Sequence, residues 1–163
     1  MKYVSSKFNS DSFSLSELTT YDVGTLQASA NRALKKHGDS LLKDYGITNM
    51  QWHIIGAVLD TGRTGARVSD LSNLLDTTMA FLTTNINLLE AKGILERIDN
   101  KQDGRSRMVK VTPAFKPKCK KIENSLRQKL RQSLYNRISP EELQTYIKVL
   151  AKLAMIYISS NSS

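Results

Sequence analysis

The stretch VSDLSNLLDTTMAFLTTNINLLEAKGILERIDNKQDGRSRMVKV, residues 68–111, decides the fold. Its first eight residues predict a short helix, because the apolar positions recur at helical spacing: Val68, Leu71, Leu74 and Leu75. Asp76 and Thr77 interrupt this pattern, which indicates a turn before the next helix. The two helices and the turn between them predict a helix-turn-helix.

The second helix has two contrasting faces. One face is apolar and is expected to belong to the core: Leu75, Met79, Leu82, Ile86 and Leu89. The opposite face is small, polar and uncharged: Thr77, Ala80, Thr84, Asn87 and Ala91, with Thr83 at its margin. Gly93 follows, where a left-handed residue ends a helix without steric strain at Cβ.

Two segments with alternating apolar and polar residues follow the second helix. They run from Ile94 to Ile98 and from Met108 to Val111, and NKQDGRSR lies between them. This pattern predicts a hairpin with a basic tip. The expected fold is mostly α with a small β wing: a winged helix-turn-helix with N- and C-terminal helices around it.

Composition favours a polyanionic partner. The chain of 163 residues carries 24 Lys and Arg against 15 Asp and Glu, a formal charge of +9. A single cysteine, Cys119, excludes an internal disulfide and suits a reducing compartment. With no long apolar run that predicts a signal peptide or a membrane span, a cytoplasmic protein without a membrane partner is expected.

Two helices are predicted before residue 68. The first runs from Leu15 to about His37, and either ends there or resumes through residues 40–45 before Gly46. The second runs from Thr48 to Leu59, because Thr48 and Gln51 have the spacing of a capping box.

Two further helices are predicted after the hairpin. The fifth is strongly basic and begins either near Thr112 or near Pro117. The last begins at the Ser139, Pro140 and Glu142 capping pattern and reaches about Ile158, with two adjacent apolar lines. A homodimer interface explains so much apolar surface; burial within one chain is the alternative.

The segment LLEAKGILERIDNKQDGRSRMVKVT resembles the MarR family of bacterial transcriptional regulators, and the order of elements is similar over nearly the whole chain. The matching positions are Gly93, Glu96, Arg97, Asp103, Arg105, Val109, Val111 and Thr112. The resemblance implies a homodimer that binds a pseudo-palindromic DNA duplex and, in many relatives, is released by a small aromatic ligand. It divides the chain into an N-terminal dimerisation helix (1–46), a winged helix-turn-helix (47–112) and C-terminal dimerisation helices (113–163).

The predicted DNA contacts fall on the recognition helix and the wing. The helix would present hydroxyl and amide groups to the major groove, through Thr77, Thr78, Ala80, Thr83, Thr84 and Asn87. Thr84 stands where family members often carry arginine, so that base contact is missing. The wing and its flanks would supply most of the charge and position the tip, through Arg67, Arg97, Lys101, Asp103, Arg105 and Arg107.

A small-molecule effector is a further expectation, and His37, Tyr45, Trp52 and His53 are the candidate pocket residues. Ordinary core or surface roles for these side chains are the alternative. The lysines beside Cys119 favour a thiolate, although an unreactive helix cysteine is the simpler interpretation. No catalytic motif, metal cluster or cofactor site is recognisable, so an enzyme is not expected.

Two functions compete with a sequence-specific regulator. The neutral recognition helix allows a nucleoid-type protein that binds DNA with little sequence preference. A winged module that binds another protein is a third hypothesis, which the basic wing disfavours.

Overall fold

The computed structural model describes residues 14–62, 64–99 and 107–160. The helices are α1 (Thr20–Leu42), α2 (Asn49–Asp60), α3 (Val68–Leu74), α4 (Met79–Ala91), α5 (Lys116–Ser133) and α6 (Pro140–Ser160). The strands are β1 (Ala66–Arg67), β2 (Leu95–Asp99) and β3 (Arg107–Val111). The predicted fold class, mostly α with a small β wing, is confirmed. Within the described residues, no helix has the length and apolar character needed to cross a membrane.

Helix α1 differs from its prediction at both ends. It begins at Thr20 because Thr19 and Asp22 form a capping box, in which each side chain accepts from the other residue's backbone N–H. At its other end the helix runs without a break past His37 to Leu42, and a 3-10 turn, Lys43–Tyr45, leads to a left-handed Gly46, so the later of the two predicted ends is the nearer one. Gly38 serves close packing instead, since a Cβ there would lie 2.9 Å from Asn49 Oδ1. The Asp39 carboxylate also accepts from the Asn49 N–H at 2.7 Å, joining α1 to the start of α2.

Helix α2 begins where the sequence predicts. Thr48 Oγ1 accepts from the Gln51 N–H at 3.2 Å, and Gln51 Oε1 accepts from the Thr48 N–H at 3.3 Å. The inner face of α2 is buried through Ile54, Ile55 and Val58. This helix packs against α1, α3, α4 and β3 and is central to the core around the helix-turn-helix.

The wing contains a strand that the sequence did not predict. Strand β3 lies between β1 and β2, and both pairs are antiparallel. Ala66 pairs with Val109 in one ladder, and Leu95 pairs with Val111 in the other. The stretch GRTGAR, residues 62–67, ends in the two-residue strand β1, which contacts the start of α3.

The chain divides into two compact units, Met1–Lys120 and Lys121–Ser163. Helix α5 begins at Lys116 with Pro117 in its first turn, so the second of its two predicted starts is confirmed. The first unit also holds the turn before α5, in which the Phe115 N–H donates to the Thr112 carbonyl. The three-part division of the chain at residues 46 and 112 stays a prediction.

The second unit contains most of α5 and all of α6. Ser139 and Glu142 form the predicted capping box, with bonds of 2.7 and 3.1 Å. Ile122 and Leu126 are buried on α5. Helix α6, in contrast, exposes a series of large apolar side chains: Tyr146, Ile147, Val149, Leu150, Leu153, Met155 and Ile156.

Candidate nucleic-acid interface

The turn between α3 and α4 is set by a left-handed residue and two side-chain bonds. Asp76 has a φ of 45°, the conformation that reverses the chain after α3. Ser72 Oγ donates to the Thr77 carbonyl at 2.6 Å, and Thr78 Oγ1 accepts from the Phe81 N–H at 3.2 Å. Thr78 is therefore the N-cap of α4, and Thr77 precedes the helix. The predicted helix-turn-helix is confirmed.

One face of α4 is part of the core, and the prediction of which residues form it was partly wrong. Leu82, Ile86 and Leu89 are fully buried, as expected. Met79 is 47% exposed and Leu75 is half-buried, because both lie beside the turn. Leu74, which was predicted among the apolar positions of the preceding helix, is 68% exposed at the end of α3. The buried face also includes a polar residue, Asn85, which is only 8% exposed.

The outward face of α4 carries the residues predicted to contact bases. Ala80, Thr84 and Asn87 are exposed, whereas Thr83 is half-buried. Thr84 Oγ1 donates to the Ala80 carbonyl at 3.0 Å, so in this arrangement its hydroxyl can offer an acceptor to a ligand. From Met79 to Ala91 this helix contains no basic residue, so its surface provides shape and polar contacts without positive charge.

Arg97 joins the wing to α4. From β2 its Nε donates to Glu90 Oε2 at 2.9 Å, and its Nη2 donates to Asn87 Oδ1 at 2.7 Å. The Arg97 and Glu90 side chains are each about one quarter exposed. The guanidinium thus spans two residues of α4 that lie one turn apart. Spacing within either element gave no sign of this contact.

Several predicted wing contacts fall on residues outside those that the structure describes. These are Lys101, Asp103 and Arg105. Arg107 begins β3 and Arg67 ends β1, where Arg67 pairs with Met108. Contact of these residues with DNA stays a prediction.

A largely buried polar network connects α4 to the start of α2. Gln51 is 3% exposed, and its Nε2 donates to Asn85 Oδ1 at 3.4 Å. Asn85 Nδ2 in turn donates to the Phe81 carbonyl at 2.9 Å. Lys92 Nζ lies 2.6 Å from the Gly46 carbonyl and 3.4 Å from Gln51 Oε1, and donates to both. Gln51 therefore caps α2 and also bonds to Asn85 of α4.

The candidate ligand residues lie in different environments. Tyr45 lines a cavity of about 400 Å³ together with Lys92, Phe115 and Lys118. His37 and Trp52 are half-buried, and His53 is exposed. Their participation in one pocket stays a prediction.

A larger open groove of about 770 Å³ was missed by sequence reasoning. It is lined by lysines of α1, by Lys92 and by apolar side chains that include Ile47, Met50 and Phe81. The basic residues at the end of α1 could have indicated it, but only the folded chain brings Phe81 beside them.

Cys119 lies in an environment unlike the one its neighbours suggest. The side chain is buried, and burial raises the pKa of its thiol above the ordinary value of 9.0. The adjacent lysine side chains are exposed on the helix surface. Among the described residues, no group of three or more potential metal ligands is assembled.

The fold and this surface define a winged helix-turn-helix protein. Residues 45–106 match the family model described as MarR family. An uncharacterized HTH-type transcriptional regulator, YwhA of Bacillus subtilis, is 27% identical over 109 residues, which are 66% of this chain and 76% of that protein. The multiple antibiotic resistance protein MarR of Salmonella typhimurium is 28% identical over 119 residues, covering 71% of this chain and 81% of that protein.

Solved structures show the same fold. A mutant MarR from E. coli, complexed with operator DNA, has a TM-score of 0.71 at 24% identity and covers 80% of this chain and 92% of its own. The MepR–DNA complex of S. aureus has a TM-score of 0.66 at 24% identity and covers 85% and 98%. Residues 45–106 are thus similar to the MarR family, and the chain shares its fold with the solved MarR and MepR structures.

Proposed function

We propose that the protein is a homodimeric transcriptional regulator that binds a pseudo-palindromic DNA duplex, acts as a repressor and is released by a small, aromatic ligand. The observation that carries the proposal is the outward face of α4. Small and polar side chains are exposed there, while Leu82, Ile86 and Leu89 on the other side are fully buried. A helix held in this way presents hydroxyl and amide groups that a major groove can accommodate.

The relatives support DNA as the partner. The solved structures of similar fold include MarR with operator DNA and a MepR–DNA complex. Transferred to this chain, α4 is the recognition helix and β2 and β3 form the wing. The proposal assigns no enzymatic step, in line with the name of YwhA, an HTH-type transcriptional regulator.

Charge would supply most of the affinity, because α4 contributes none of it. The formal charge of +9 favours association with a polyanion, and the basic residues around the wing would contact phosphates. If a dimer neutralises about 8 phosphates, a plot of log affinity against log salt has a slope near −7. A slope near zero would remove DNA binding from the proposal.

Dimerisation is supported by the exposed apolar side chains of α6. Ile147, Leu150 and Leu153 recur every three residues and are each more than two fifths exposed. A second copy of the chain would remove this apolar surface from water. Two recognition helices related by a dimer axis would then fit two half-sites about one helical turn apart.

Ligand release is supported by the cavities beside the network that holds α4. The larger groove reaches both Gln51 and Phe81, and the smaller cavity reaches Lys92. A ligand that moved any of these side chains would act on the orientation of the recognition helix. Titration of the protein–DNA complex with a panel of aromatic acids tests this part of the proposal.

Selection of bound duplexes from a random pool tests sequence specificity. The proposal expects a palindromic consensus with half-sites about one turn apart. Thr84→Ala and Asn87→Ala are expected to change the preferred bases, whereas Arg105→Ala weakens binding to nearly all duplexes. Lys148→Ala on α6 removes the same charge as Arg105→Ala and serves as its control.

The absence of basic residues from α4 favours one alternative, a nucleoid-type protein with little sequence preference. That protein would give no enriched sequence in the same selection, although its binding would remain dependent on salt.

A further inference from the structure

We infer that Arg97 is a positioning residue that determines base preference by holding the side-chain amide of Asn87 in one orientation. The inference rests on the proposed function, because it concerns how the recognition helix would read a duplex. It gives Arg97 a role other than the phosphate contact expected of a wing arginine.

The orientation of the Asn87 amide follows from the chemistry of its partner. A guanidinium has only donors, so the Asn87 atom that faces Arg97 Nη2 at 2.7 Å must be the oxygen. The amide nitrogen therefore lies on the side of the group away from Arg97. A short bond from a charged donor is stronger than one between neutral groups, which favours this orientation over its flipped form.

The second arm of Arg97 makes the arrangement rigid. Its Nε is held by Glu90 Oε2 at 2.9 Å, and each of these two side chains is only about one quarter exposed. Glu90 and Asn87 lie three residues apart on α4, so one guanidinium fork can reach both. Lysine has a single charged nitrogen and cannot reproduce this planar geometry.

This arrangement changes what Asn87 can recognise. A free asparagine pairs with adenine in two places, accepting from N6 and donating to N7. Here the oxygen already accepts from a charged group, so the amide presents mainly its two donor hydrogens. In the major groove guanine offers two adjacent acceptors, O6 and N7, and is the matching base. Asn87 should therefore favour guanine while Arg97 is in place, and adenine once Arg97 is removed.

The ion pair with Glu90 also affects the salt dependence. An arginine that contacts a phosphate contributes about 1 to the slope of log affinity against log salt. Arg97 is occupied by Glu90 and Asn87, so its loss should leave the slope of each protomer unchanged.

Random-pool selection with matched variants tests the inference. The full-length protein is compared with Arg97→Met, Arg97→Lys, Glu90→Gln and Asn87→Ala. Asn87→Ala identifies the position in each half-site that Asn87 contacts, because the variant should lose its base preference at that position. At that position Arg97→Met and Arg97→Lys are expected to raise the ratio of adenine to guanine about tenfold, the size of one paired base contact. Glu90→Gln keeps an acceptor for Nε and is expected to retain guanine.

Further variants separate positioning from damage to the fold. Glu90→Gln with Arg97→Met avoids leaving a half-buried carboxylate unpaired, and it should show the same change to adenine as Arg97→Met alone. In an Asn87→Ala background, Arg97→Met should have no further effect on base preference, because it acts through the missing amide.

Two results would overturn the inference, and they are distinguishable. In the first, Arg97→Met retains the consensus of the unchanged protein at every position and binds all duplexes more weakly. The slope of log affinity against log salt also drops by about 1 per protomer, which shows that Arg97 contacts phosphate. Only the inference is then wrong. If the unchanged protein enriches no sequence at all, both the inference and the proposed sequence-specific function are wrong.

Discussion

Gly65 lies against the wing, where there is no room for a side chain larger than a hydrogen. Its φ is +83°, and a Cβ there would lie 3.0 Å from both the Val109 carbonyl oxygen and Lys110 Cγ. Gly65→Ala should therefore lower the free energy of unfolding by about 1–3 kcal/mol, through backbone strain and close contact. Urea denaturation followed by circular dichroism measures this change.

Gly24 provides the matched control for Gly65. It lies in the right-handed backbone of α1, and a Cβ there would meet no atom within 4 Å. Gly24→Ala should raise the free energy of unfolding by about 0.5–1 kcal/mol, because alanine loses less conformational entropy in a helix. Equal effects of the two substitutions would contradict the role assigned to Gly65.

Cys119 is a residue whose reactivity is set by burial and not by its sequence neighbours. Because its pKa is raised above 9.0, the folded protein favours the neutral thiol. This contribution to stability is complete below pH 9.0 and is lost as the pH rises from 9.0 through the higher pKa of the folded state. Alkylation by iodoacetamide at neutral pH should be much slower in the native protein than in urea. Equal rates would show an accessible thiolate and contradict the assigned burial.

At the scale of elements, local sequence patterns predicted where most helices begin, but they did not predict the contacts between elements. The capping boxes at Thr48 and Ser139 were predicted, since each depends on residues three positions apart. The equivalent box at Thr19 has the same spacing, but the apolar pattern of α1 was extended past it. Strand β1 has two residues, too few for any alternation of apolar and polar positions to appear.

In the candidate site, too, the exposed positions of one helix were predicted, but the contacts between elements were not. The exposed positions of α4 follow from its periodicity, as Thr84 and Asn87 show. The partner of Asn87 lies ten residues away on a different element, and helical periodicity carries no information about such a bond. The burial of Asn85 was not predicted either, because its partner Gln51 lies 34 residues away on α2 and helical periodicity carries no information about that bond.

The connection between α2 and α4 gives a prediction at this scale. Gln51→Ala removes one half of the Thr48 capping box and leaves Asn85 and Lys92 without their Gln51 bonds. The free energy of unfolding should fall by about 1–3 kcal/mol, because a buried polar group loses its partner. Gln27→Ala, an exposed glutamine of α1, is the control and should change it by less than about 0.5 kcal/mol. The same small change in both variants would remove the structural role of the network.

At the scale of the whole molecule, charge and recognition are carried by different parts of the chain. The protein has a formal charge of +9, yet α4 has no basic residue between Met79 and Ala91. Long-range attraction to a polyanion would therefore bring many duplexes to the protein at similar rates. Discrimination between duplexes would then depend on a few short polar side chains, which makes the orientation of each one important.

Assembly is the last property expected of the whole molecule. The exposed apolar side chains of α6 predict a dimer, so the melting temperature should rise with protein concentration. Leu153 is 52% exposed, and Leu153→Lys would place a charge in the expected interface. This variant should sediment as a monomer and lose the concentration dependence. Gln144→Lys adds the same charge nine residues earlier, on the opposite side of the helix, and should sediment as the unchanged protein does. A Leu153→Lys dimer as stable as the unchanged one would exclude this face of α6 as the interface.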